Sequence, residues 1–358
     1  MNLQDNINAT SDHHPSPEEK TAHQNVSDYL FGRSIDIIPA VSTADKECPD
    51  VHSSLLSLID PGEINRFRRS LALDNPSCYE RHFSFFPNFA ISRLGRIKNY
   101  MSPHIPRSCG TSICEVAKQI FGENYRETGS HNCWEGKHFF PVWSNEDNKL
   151  ILGDRMEWPS HNNNTPDCNV FNDRLPKFVM NENYLDHPLC LTTRLYSIML
   201  RDPLARVKSH EKLLNVLQQR ETRNYKQKRL KLVRNNYLTW AMTVGSTKHG
   251  NRFSLMPQQK HLKIAKDTLS RFDFLLELSQ NPECDVSILK LMGLGGHVMP
   301  HSNSVATWEE TQAMTDEQYK EKDLLDIELY EYAKRLMELD CNFFSRLGDN
   351  SSDGMSET

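Results

Sequence analysis

One stretch constrains this chain more than any other: His104-Ile-Pro-Arg-Ser-Cys-Gly-Thr-Ser-Ile-Cys-Glu-Val-Ala-Lys-Gln-Ile-Phe121. It reads as the end of a strand, a tight loop and a helix. Ile113, Val116, Ala117, Ile120 and Phe121 recur at i, i+3, i+4, i+7 and i+8. That spacing lays one apolar stripe along a helix and requires a core to receive it. Thr111 and Ser112 suit the N-cap, and Gly122 suits the stop. The loop from Pro106 to Ser112 is small, polar and basic. Backbone N–H groups at the helix start, the hydroxyls of Ser108, Thr111 and Ser112, and the charge of Arg107 all point at one spot. Those are the makings of an anion cradle. On this stretch alone, an ordinary capped helix after a turn carries about the same weight.

A second unit of the same kind follows. Arg194-Leu-Tyr-Ser-Ile-Met-Leu200 has the composition of a central strand, and it runs directly into Arg201-Asp-Pro-Leu-Ala-Arg-Val-Lys-Ser-His210. Pro203 fits the first turn of a helix with Asp202 as its N-cap. Leu204, Val207, Leu213, Leu214 and Leu217 continue on a helical period. Further helices are expected around 55–73, 235–242, 258–272, 286–292 and 316–344, and strands at 137–143, 150–152 and 273–277. Strands alternating with helices argue for an α/β fold with a parallel sheet, whose ligands sit beyond the C-terminal strand ends. Both loops follow strands directly, so one ligand with two anionic groups could touch both.

The segment His104 to Ile113 resembles the 5′-phosphosulfate-binding loop of sulfotransferases that use 3′-phosphoadenylyl sulfate (PAPS). The segment Tyr196 to His210 resembles their 3′-phosphate motif, a strand followed by Arg-Asp-Pro, then Arg and Ser. Leu325-Asp-Ile-Glu-Leu-Tyr-Glu-Tyr-Ala333 resembles the helix that closes the Golgi carbohydrate sulfotransferases, the heparan sulfate 2-O type among them. The resemblance spans roughly residues 80–345. It implies a P-loop-like three-layer fold with a central parallel sheet flanked by helices. It also implies PAPS as co-substrate with no metal, and transfer of a sulfuryl group to a hydroxyl of a glycan or small molecule.

Carried over by position, Arg107 stands where the family usually has lysine and faces the sulfuryl group. Ser108, Cys109, Gly110, Thr111 and Ser112 would bind the 5′ phosphate, and Arg201 and Ser209 the 3′ phosphate. Arg206 would brace the loop through Asp202. The general base would be His138, with His131 and Glu135 as alternatives. The chain departs from the family pattern at Arg107, at Cys109, and at His210, where tyrosine is common. A planar guanidinium is not a point charge, so the first change is not neutral.

Other readings are weaker. A P-loop nucleotide-dependent phosphotransferase needs GxxxxGK[ST], which 106–112 lacks. A catalytically inactive nucleotide-binding relative stays open. The basic run Arg220 to Arg234 reads as a solvated helix face or as a guide for an acidic acceptor. With no aromatic stacking pattern beside it, it makes no case for nucleic acid. Trp134, Trp143 and Trp158 could stack on an acceptor ring or fill the core. His131, Cys133 and His138 lack a fourth ligand and match no zinc spacing.

Net charge is −5, no window of about 18 apolar residues exists, and the first residues lack the regions of a secretory signal. A soluble chain without a membrane span is expected, cytoplasmic by default, although the resembling enzymes are Golgi-lumenal. Nine cysteines at irregular spacing match neither a disulfide framework nor a CxxC pair, so most are expected to be reduced. Residues 1–50 and 348–358 read as disordered, flanking a single domain over 51–347.

Overall fold

The computed structural model describes residues 48, 61–97, 99–108, 110–127, 133–135, 141–144, 149–152, 178–181, 189–220, 235–243, 256–277, 282–295 and 316–352. Three helices come first: α1 (Pro61–Asp74), α2 (Pro76–His82) and α3 (Phe85–Arg96). Asn75 caps α2 by accepting from the Cys78 N–H at 3.2 Å, ahead of Pro76 in the first turn. Then follow β1 (Tyr100–Pro103), α4 (Gly110–Phe121), β2 (Tyr125–Glu127), β3 (Cys133–Glu135), β4 (Pro141–Ser144), β5 (Lys149–Leu152) and β6 (Phe178–Asn181). The second half holds β7 (Leu195–Leu200), α5 (Pro203–Arg220), α6 (Tyr237–Thr243), α7 (Gln259–Arg271) and β8 (Phe274–Glu277). It ends with α8 (Pro282–Leu291), α9 (Asp316–Lys322) and α10 (Leu324–Ser352).

The main sheet runs β2-β3-β6-β1-β7-β8. Strands β6, β1, β7 and β8 are parallel, while β3 and β2 extend the sheet in antiparallel fashion. The expected parallel sheet is therefore the centre of a mixed one. β4 and β5 form a separate two-stranded ladder.

Residues of alternating parity divide the core into two layers, as a sheet buried on both faces requires. Tyr196, Ile198, Leu200 and Leu275 meet α6, α7 and the Leu329 to Met337 part of α10. Leu195, Met199, Phe274 and Leu276 meet α1, α3, α4, α8 and the Phe343 to Leu347 end of α10. Trp134 is buried in the first layer, which favours its core-packing reading.

The single helix expected over 316–344 is two helices, and the second continues to Ser352, past the expected start of the tail. The break has a local cause. Asn236 accepts the N–H groups of Leu325 and Asp326 at the start of α10, while Asp326 accepts those of Leu238 and Thr239 at the start of α6. Two helix starts thus satisfy each other's unpaired donors. Asn236 lies at φ 54°, a conformation asparagine tolerates better than most residues.

The cysteine expectation is overturned. Among the described residues, disulfides join Cys48 to Cys78, Cys114 to Cys133 and Cys284 to Cys341. Cys190 is disulfide-bonded as well. Spacing along the chain could not reveal this, because each bridge joins elements that only the fold brings together. The ground for assuming a reducing compartment goes with it. No described helix is long and apolar enough to cross a membrane.

Candidate functional site

Two loops leave the C-terminal edge of the sheet side by side, because β1 and β7 are parallel neighbours. Past the end of β1, His104 still bridges Met199 of β7. The chain then turns sharply, with the Ser108 N–H donating to the Ile105 carbonyl at 3.0 Å. Arg107, at the tip of the turn, has φ 70°. For a bulky residue that is strained backbone, and such strain gathers where a loop must hold a particular shape. Helix α4 begins at Gly110, so Thr111 and Ser112 lie inside its first turn rather than at its cap. Gly122 ends the helix at φ 50°, as expected.

The second loop is short. Asp202 Oδ1 accepts the Ala205 N–H at 2.7 Å and caps α5, with Pro203 as its first residue. Ser209 lies two turns along that helix.

The loops touch. Arg107 Nε donates to Ser209 Oγ at 3.0 Å, and Arg201 Nη1 donates to the Arg107 carbonyl at 3.1 Å. Arg107, Arg201 and Ser209, two of them far from the third in sequence, thus form one cluster. Ser108, next to Arg107, and Ser112, in the first turn of α4, are buried. Among the described residues nothing hydrogen-bonds the Ser108 hydroxyl, a buried polar group for which a ligand oxygen would be a partner. Two guanidinium groups, hydroxyls and the amides of a helix start make a chemically consistent receiver for phosphate groups.

Not every expected residue joins the cluster. Arg206 does not brace the loop through Asp202. Its guanidinium lies 5.0 Å from the centre of the Tyr237 ring, and none of its three nitrogens hydrogen-bonds a described residue. Helix α5 turns that side chain toward α6 and α10, where Asp326 feels its charge. Glu135 also falls away from the site. β3 runs against β6 with Trp134 opposite Val179, so Glu135 lies beyond that pair toward Phe178, the first residue of β6. That is the N-terminal edge of the parallel strands, across the sheet from the loops. Cys109, His131, His138, Trp158 and residues 221–234 lie outside the described residues, as do the side chains of Thr111 and Trp143.

Sequence reasoning missed three features here. The Cys114–Cys133 disulfide staples α4 to β3. His104 packs against Gly110; a Cβ at Gly110 would overlap ring atoms of the His104 imidazole. At the end of β8, beside Leu200, Tyr330 donates to Glu277, and the Glu277 N–H donates to Asp285 at 3.3 Å. Burial pushes the Asp285 carboxyl up to about 7. A glycine six residues after a histidine was the only local sign of the second feature.

Comparison of the chain with protein-family models, curated proteins and solved structures finds no match.

Proposed function

We propose that this chain is a sulfotransferase that moves a sulfuryl group from PAPS to a hydroxyl of a carbohydrate or small-molecule acceptor. The fold would be the P-loop-like, three-layer sulfotransferase type. The observation that carries the reading is the meeting of the two loops, through Arg107 with Ser209 and Arg201 with the Arg107 carbonyl. A nucleotide carrying phosphates at both its 5′ and 3′ positions is a ligand that needs two anion sites within its own length.

In the reaction the acceptor oxygen attacks sulfur in line with the bond to the 5′-phosphate oxygen. The new S–O bond forms as the old one breaks, its electron pair stays on the phosphate, and the acceptor proton passes to a base. The products are a sulfate ester and adenosine 3′,5′-bisphosphate. Positioning and charge stabilisation carry such a transfer. Arg107 and the amides opening α4 would meet the charge that grows on the leaving phosphate. Arg201 and Ser209 would hold the 3′ phosphate, exchanging their present partners for charge-assisted bonds. His138 would be the base, with His131 as the alternative; Glu135 is set aside by its place across the sheet. The disulfides favour work in an oxidising compartment over the cytoplasm.

Calorimetric titration with adenosine 3′,5′-bisphosphate tests the reading. Saturable binding is expected, and Arg201→Ala should weaken it by about 1.5–3 kcal/mol, the cost of one bond to a charged group. No binding at millimolar ligand would remove the reading. Transfer of labelled sulfate to hydroxylated acceptors, lost in His138→Ala or His131→Ala, would separate an enzyme from an inactive nucleotide-binding relative.

A further inference from the structure

We infer that His104 is a positioning residue, the wedge around which the phosphate loop closes, and that Gly110 is glycine because that wedge occupies the space a side chain would need. The inference rests on the proposed nucleotide site and deepens it.

The observations are steric. A Cβ built on Gly110 would overlap Cε1, Nε2 and Cδ2 of the His104 ring. The imidazole therefore lies flat against the backbone of the first residue of α4. Gly110 is not among the positive-φ glycines, Gly122 and Gly293, so the backbone conformation at 110 does not require glycine; the space does. His104 is only 5% exposed. Its backbone is held by the bridge to Met199, at the junction of the two central strands. His104 and Gly110, six residues apart, are thus in contact through a rigid ring. The first is pinned to the sheet and the second is the start of a helix.

The consequence is functional. The amides that open α4 are the donors a 5′ phosphate would meet, and their position relative to Arg107 and Arg201 is set by how far α4 stands off the sheet. The His104 ring sets that distance. The ring would touch no substrate; it acts through the loop backbone. Loosening a binding constellation by about 1 Å can cost about 10- to 100-fold.

The test compares two nucleotides. His104→Ala should weaken adenosine 3′,5′-bisphosphate binding by about 10- to 100-fold. It should leave adenosine 3′-monophosphate, which lacks the 5′ group, bound as in the wild type. Gly110→Ala should show the same selective loss by expelling the ring. His104→Ala in the Gly110→Ala background should add little further loss, because the space for the methyl group is then open. Equal loss of both ligands in His104→Ala, or unchanged bisphosphate binding, would overturn the inference, as would independent and multiplicative losses in the double variant. His104→Asn, which fills part of the space, serves if the alanine variant fails to fold and should fall between the two.

If the wild type binds neither nucleotide, the proposed function fails on its own. The wedge is then decided by hydrogen exchange without ligand. Amides 110–114 should exchange faster in His104→Ala while those of α7 are unchanged, and equal protection of 110–114 in both proteins would overturn it.

Discussion

The two edges of the central sheet treat arginines differently, burying them at one edge and leaving them half-buried at the other. At the N-terminal edge, Arg93 donates to both oxygens of Asp273 and to the Leu191 and Arg194 carbonyls, and Asp273 also accepts the Tyr196 N–H. Nearby, Arg69 donates to both oxygens of Asp340 and to the Ser270 and Phe272 carbonyls, while Arg68 reaches Asp340 at 2.6 Å. These guanidinium groups are consumed by the fold. At the C-terminal edge, Arg107 donates to the Ser209 hydroxyl and Arg201 donates to the Arg107 carbonyl. A bond to a hydroxyl or a carbonyl is one that a charge-assisted bond to an anion can replace, whereas a charge locked to a carboxylate is structural. Burial and partner thus differ together between the two edges.

The comparison can be broken by perturbing each edge. Asp340→Asn leaves two buried guanidinium groups without their carboxylate and should cost about 3–5 kcal/mol of stability in urea unfolding. If Arg201→Ala costs as much, the two edges do not differ; it should cost less than about 1 kcal/mol while weakening nucleotide binding. Next in size is the Cys114–Cys133 staple, which holds the helix of the C-terminal edge covalently. Replacing both cysteines with serine should cost about 2–4 kcal/mol. That difference should vanish when both proteins are unfolded in strong reductant, and if it persists the bridge is not its source.

The smallest effect concerns Asp285. Its folded carboxyl titrates at about 7, against an ordinary value of 3.8. The stabilisation from its protonated form is fully present below about pH 4 and is lost as pH rises through 7. Asp285→Asn should therefore raise the melting temperature at pH 8 by a few degrees and change it little at pH 4. Equal shifts at both pH values would contradict a buried, titrating carboxyl.

Much of this was legible along the chain. Helix α4 shows its apolar period, and Ile113, Val116 and Ala117 are buried as that period requires. Strand β7 announces itself as an apolar run broken only by Ser197, and Asp202-Pro203 as a capped helix start. Strands β2, β3 and β6 were not legible. Each is three or four residues long and lacks an alternating pattern long enough to register. The misplacement of Glu135 follows directly, since without β3 there was no way to know which edge it would reach. Arg206 was misread because a helical period gives a face, and the partner of that face is decided by which helix packs there.

The sequence by itself determined what depends on near neighbours: the Asp202 cap, the stripe of α4, and the polar basic loop between strand and helix. Such features rest on interactions three or four residues long, and the chain carries them wherever it goes. Only the tertiary structure decided that Arg107 meets Ser209, that Cys114 reaches Cys133, and that an imidazole fills the space above Gly110. The first two depend on the order and direction of the strands, which place β1 beside β7 and β3 beside β6. The third spans only six residues, yet it depends on the loop closing over a strand end held by β7. Strand order is set by the joint packing of both faces of the sheet, and no single segment encodes it.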